Sequence, residues 1–332
     1  MSAVDFGDFE KSLFSFQPNA DRARFVDARV RAGLADSLTA TLQALAGNSS
    51  PLGEDLVARV RASSVAPVIF GAYTELVEAI FFDDIETASK IANELCAADF
   101  GRVGDLRIVT LHDSDLGEGQ AARYRRLLDD DPEVGIELQA LTPAVFKSAS
   151  ERVSEAVALL DAGVPDIAGE LRTLVHEIIV VDKPGDWTFG ASSFQLWGAL
   201  FLKLKPRASR VEIAESLAHE CAHALLFGFG MGKPLVENEP EELYPSPLRS
   251  DRRPMDGVVH ATYVIARMHY TMWRLLESGL LTEEEAGEAR EAKERNARGY
   301  ADGAAVIEGK AKWTPAGKAA LISARAYMAG SQ

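Results

Sequence analysis

The segment His219-Glu220-Cys221-Ala222-His223 puts two imidazoles and one carboxylate within five residues. On an α-helix, positions 219 and 223 lie about 40° apart around the axis and roughly 6 Å along it, so both rings can point at one ion. Glu220 projects into a neighbouring sector, where it can act as a base on a metal-bound water or hydrogen-bond around the site. The bland alternative is two histidines at the edge of an amphipathic helix. Leu217, Cys221, Ala224 and Leu225 make this helix largely apolar, however, and two unpaired buried histidines would be costly. The pattern points to a catalytic transition metal and hence to an enzyme. A structural metal, or a relict motif on a helical peptide-binding scaffold, is the non-enzymatic alternative.

A third ligand must come from elsewhere. The metzincin continuation needs a histidine at 229, where this chain has Phe229. A thermolysin-like site takes a glutamate, and Glu237, Glu239, Glu241 and Glu242 follow the motif, but the prolines around them argue against the helix such a ligand occupies. His260 is the stronger candidate, because it opens the next helical segment and follows Arg249, Arg252 and Arg253. Those arginines are either solvated charges balancing the acidic loop at 237–242 or a fork that clamps a carboxylate. His112, His176 and His269 lack such context and read as structural or exposed.

The elements that must position these groups are mostly helical. Apolar residues recur at helical spacing from Asp21 to about Asp99, with separate stretches at 56–62, 68–81 and 85–97 after Gly and Ser-Pro punctuation at 47–53. Residues 106–111 form a short apolar run, and the Gly- and Asp-rich stretch 113–119 reads as loop. Thr142-Pro143 opens a helix that runs through Leu160 and stops at Gly163. The β-branched run Glu177–Asp182, closed by Lys183-Pro184-Gly185, predicts a buried strand, and 198–204 a second. Between them, Ala191-Ser192-Ser193 suits tight packing or a pocket wall, with Ser193 the candidate to face a cofactor. Ser209-Arg210-Val211-Glu212 matches a capping box at the start of the motif helix, and Gly230, Gly232 and Pro234 end it. Asp256 reads as the cap of a helix over 257–277, and helices over 282–298 and 315–328 follow.

Net charge is −15, which disfavours phosphate backbones and anionic lipid and so argues against nucleic-acid partners. No apolar run reaches the roughly 18 residues of a membrane span. The two cysteines, Cys96 and Cys221, offer no disulfide framework, and residues 1–16 carry Asp5, Asp8 and Glu10 in place of a basic secretory start; both suggest the cytoplasm.

Residues from about Ser192 to Tyr270 resemble a family pattern. Ala214-Glu215-Ser216-Leu217-Ala218-His219-Glu220-x-x-His223 is followed by Tyr244-x-Ser246-Pro247-Leu248-Arg249-x-Asp251-x-Arg253-Pro254-x-x-Gly257-x-x-His260. This is similar to the H-E-x-x-H domain family of peptide-modification proteins, some of which are Fe(II)- and 2-oxoglutarate-dependent peptide β-hydroxylases. The resemblance implies that His219, His223 and His260 bind Fe(II), that Arg249 or Arg253 holds the 2-oxoglutarate carboxylate, and that Glu220 tunes or orients the site. It also implies a ribosomally made precursor peptide as substrate. The rival use of the same helix is a Zn(II) metallopeptidase in which Glu220 deprotonates the attacking water. The expected fold is α+β and predominantly helical, with a small sheet beside the metal-binding helix. A helical region over 1–165 would precede a metal-binding catalytic domain over 166–332.

Overall fold

The computed structural model describes residues 13–46, 53–97, 106–128, 137–185, 188–249 and 251–331. The acidic residues Asp5, Asp8 and Glu10, Asp99 and most of the 47–53 punctuation lie outside them. The fold is α+β and mainly helical, 67% helix and 9% strand. No described helix is long and apolar enough to cross a membrane.

Two compact units emerge, and neither is one continuous stretch. One takes residues up to Ala23, then 152–171 and everything from Arg207; the other takes 24–151 and 172–206. The division expected between residues 165 and 166 is not one of the crossings, since 152–171 belongs with the histidine motif.

The second unit holds the larger sheet. Helices α1 (Ala20–Ala46, entering from the other unit), α2 (Glu54–Ala62), α3 (Pro67–Phe81) and α4 (Ile85–Ala97) precede strand β1 (Arg107–Thr110). Helices α5 (Asp113–Leu116) and α6 (Gln120–Leu128) and strand β2 (Gln139–Ala140) follow, and then α7 (Pro143–Gly163) and α8 (Pro165–Leu174), whose residues 152–171 belong to the first unit. Strands β3 (Glu177–Asp182), β4 (Phe189–Ser192) and β5 (Ala199–Lys203) complete it. The order is β1-β3-β5-β4, with β1, β3 and β5 parallel, β4 antiparallel on β5 and β2 antiparallel on the end of β3. A central parallel strand is covered on both faces, which is why Glu-Ile-Ile-Val-Val is an almost unbroken apolar run. Its Ile179 and Val181 pack with Tyr124, Leu127, Leu196 and Phe201. The buried Glu177 accepts from Tyr124 Oη at 2.8 Å and from Arg107 Nη1 at 3.1 Å. Trp197 Nε1 donates to Asp27 Oδ1 at 3.0 Å. Gly198 has φ +94, and a Cβ there would lie 2.7 Å from His176 Cδ2, so both conformation and space require glycine.

Residues 113–119 are not all loop. A short helix forms at 113–116 because the His112 ring accepts from Ser114 N, a cap that composition does not advertise. Strand β4 was not foreseen either; its small residues are ordered by pairing with β5.

The first unit is built on α9 (Arg210–Gly230), α10 (Met255–Glu277), α11 (Glu283–Ile307) and α12 (Pro315–Gly330), with the ribbon β6 (Leu243–Tyr244) and β7 (Arg253–Pro254). Ser209 Oγ accepts from Glu212 N at 3.0 Å, the first half of the predicted box. A reciprocal box closes instead between Thr282 and Glu285. Helix α10 starts at Met255 with Pro254 as its N-cap, so Asp256 is not the cap; its Oδ1 accepts from Leu235 N at 2.6 Å. Helix α11 runs past Arg298 through Gly299 and Gly303. At Gly303 a Cβ would meet Thr262 Oγ1 of α10 at 2.2 Å, so the glycine serves a close helix crossing.

Candidate metal centre

Helices α9 and α10 pack together and bring three histidines into one cluster. His219 and His223 sit one turn apart on α9, and their Nε2 atoms are 3.1 Å from each other. His260, from the first turns of α10, places its Nδ1 3.2 Å from His223 Nδ1. Phe227, a further turn along α9, stacks near His223 and walls the cluster on the His260 side, its ring centre 5.4 Å from that of His260. Helix α9 is held upstream by Glu215, one turn before His219. Its buried carboxylate accepts from Arg295 Nη2 at 2.8 Å and Asn296 Nδ2 at 2.7 Å, both from α11.

Burial sets the protonation of the rings. It lowers the His219 imidazole to about 4, with the Arg249 guanidinium adding to the effect. His223 falls well below the ordinary imidazole range through burial and through His219, His260 and Arg249. Burial also lowers His260, against the attraction of Asp256. Neutral rings need an ordered set of protons. His219 Nδ1 lies 3.2 Å from the thioether of Met268, a weak acceptor, which puts its proton there and leaves Nε2 with a lone pair. His223 Nε2–H then donates to His219, and His260 Nδ1–H donates to His223; this assignment follows from the network.

The Nε2 pair suits a metal. A cation at this pair requires the His223 proton to move to Nδ1 and the His260 proton to its Nε2, which faces Asp256; His219 and His223 are then two neutral imidazole donors at a spacing that one ion about 2.1 Å from each can span. The third donor is less direct. Among the described residues no three His, Cys, Asp or Glu side chains have the spacing of a metal site. The reason is geometric: His223 turns its Nε2 to His219 and its Nδ1 to His260, so His260 joins the Nε2 pair only through ring rotation. Asp256 Oδ2, 3.7 Å from His260 Nε2 and four residues before it, orients that ring by charge, since the distance is too long for a hydrogen bond.

Glu220 is buried beside the pair, with Oε1 3.7 Å from His219 Nε2. The four alternative glutamates, 237, 239, 241 and 242, are all exposed, and Glu242 accepts from Tyr244 Oη at 2.7 Å. The arginines separate by environment. Arg252 donates to the Leu243 carbonyl. Arg253 Nε lies 2.7 Å from Asp251 Oδ2, an ion pair without hydrogen-bond alignment. Arg249 is the arginine whose charge acts on both His219 and His223. Ser193 belongs to the other unit, where its Oγ accepts from Gln195 N at 3.2 Å and caps the short turn at 194–196. Met268 and the true contact of Asp256 escaped sequence reasoning; the Asp256/His260 spacing of four on one helix was the available signal.

No known protein family matches the chain, and no curated protein matches it.

Proposed function

We propose that this chain is a metal-dependent enzyme, an Fe(II)- and 2-oxoglutarate-dependent hydroxylase acting on a precursor peptide, with His219, His223 and His260 as ligands. One observation carries the reading: three neutral imidazoles from two packed helices meet, and the Arg249 guanidinium charge reaches two of them, His219 and His223. Bound Fe(II) with 2-oxoglutarate would supply oxidative hydroxylation, in which one atom of O₂ enters a substrate C–H bond and the other enters succinate as CO₂ leaves. The protein's own contribution is positioning. Buried, unprotonated histidines offer lone pairs without proton competition at neutral pH. Arg249 supplies a cation for a dicarboxylate, and Arg253, already matched by Asp251, is the weaker candidate. Phe227 excludes water from one side, and Asp256 is a positioning residue for His260.

The position of Glu220 favours a second reading, a Zn(II) peptidase, because its carboxylate lies on the Nε2 side of His219, where a base would be needed. Anaerobic titration with Fe(II), then 2-oxoglutarate, separates the two. A weak visible charge-transfer band that is lost in His219→Ala supports the hydroxylase. No band, together with tight Zn(II) binding and hydrolysis of a generic peptide that requires Glu220, rejects it for the peptidase.

A further inference from the structure

A cavity of about 340 Å³ opens among α10, α11 and α12, away from the histidine cluster. It is lined by His269 from α10, Lys293, Glu294 and Tyr300 from α11, and Arg325 and Met328 from α12. His269 follows His260 by nine residues, which on a helix is about half a turn around and roughly 13 Å along, so the two face opposite sides of α10.

Three features of this cavity point to one ligand chemistry. The chain carries −15 overall, yet the cavity presents two cations, Lys293 and Arg325, against one carboxylate, Glu294, and neither cation is ion-paired among the described residues. His269 is only 3% exposed; its Nδ1 is 2.9 Å from Tyr327 Oη, and its Nε2 makes no hydrogen bond to a described residue. Burial and Lys293 hold this ring near 4, so it is neutral at pH 7, and the tautomer in which Tyr327 Oη donates to Nδ1 has its proton on Nε2, free to donate. The rest of the wall, Met328 with Ala297 and Ala301, is apolar. Cations and one ring N–H over an apolar wall recognise an anionic group on an apolar body, and the volume is at the small end of ligand sites.

We infer that this cavity binds a small organic anion, a carboxylate or phosphate monoester on a compact apolar body, with its charge at Lys293 and Arg325 and one oxygen at His269 Nε2. The inference is independent of the metal reading. Calorimetric titration of the full chain with benzoate, phenyl phosphate and benzyl alcohol tests it, alongside the imidazole NMR signals of His269. Saturable binding of either anion, a shifted His269 signal, at least tenfold weaker binding in Lys293→Ala and Arg325→Ala, and unchanged binding in His219→Ala would support the site. Absence of saturable anion binding, equal binding of the alcohol, or binding that survives both cavity substitutions while failing in His219→Ala would overturn it.

Discussion

Glu170 is fully buried between two buried guanidiniums, those of Arg22 and Arg267, and its Oε1 also accepts from Asn19 N at 2.8 Å. Arg267 Nη1 donates to the Phe16 carbonyl at 2.8 Å, so the cluster ties the N-terminal strand of chain to α10, the helix of His260. The cluster already carries one uncompensated positive charge. Glu170→Gln keeps the shape and removes the only carboxylate in the trio, leaving two cations out of water. Breaking a buried pair in this way costs about 3–5 kcal/mol, a large share of a typical 5–15 kcal/mol of folding stability. With a urea dependence of about 3 kcal/mol per molar, the unfolding midpoint should fall by about 1–1.7 M. Hydrogen exchange should quicken first in α9 and α10. Replacing all three charges together, as Arg22→Met, Glu170→Leu and Arg267→Met, should recover part of the loss, because it removes the stranded cations as well. A single substitution costing under about 1 kcal/mol, or a triple variant weaker than the single one, would refute the desolvation argument.

Other consequences can be checked at the bench. His219 and His269 are held near 4, whereas an unfolded imidazole titrates near 6.5, so between those values the unfolded chain takes up protons that the native state refuses. Stability of the metal-free protein should therefore be full above about pH 6.5 and fall as pH drops towards 4, by up to roughly 3 kcal/mol per residue. Urea titrations across this range should show a shallower slope in His269→Gln, and an identical slope would contradict the assignment. Gly317→Ala puts a Cβ 2.1 Å from the Leu235 carbonyl oxygen, a backbone atom that cannot yield cheaply; a melting temperature within a degree of the parent would show that the loop relaxes freely. Under the proposed hydroxylase function, Arg249→Ala should raise the 2-oxoglutarate concentration needed for half-saturation about 10- to 100-fold, the loss of a charged hydrogen bond. Arg253→Ala should change it little, and the reverse order would exchange their roles.

The parts legible in the sequence were those whose cause is local. Strand β3 was visible because β-branched residues fill it and Lys183-Pro184-Gly185 closes it, and the α9 start because Ser209 reaches the Glu212 amide. The three histidines were legible as candidates because helical spacing alone aligns two of them. What escaped depends on distant partners. Asp256 looks like a cap by type, yet Leu235 N occupies its Oδ1. The helix expected over 282–298 continues through Gly299 and Gly303 to Ile307, and the close approach of Thr262 is what requires the second glycine. Met268 comes to His219 only through the α9–α10 crossing, which periodicity does not encode.

The unit that holds the histidines closes over nearly the whole chain: Phe16 N donates to Ser323 Oγ at 2.6 Å across 307 residues. During synthesis the Phe16–Ser323 bond must wait for α12 to leave the ribosome, while the unit of 24–151 and 172–206 can assemble earlier. Completion of the histidine unit therefore belongs to the last stage of folding, and a fragment cut at 166 would lack Arg22 and Phe16 and should fold poorly even though it keeps all three imidazoles.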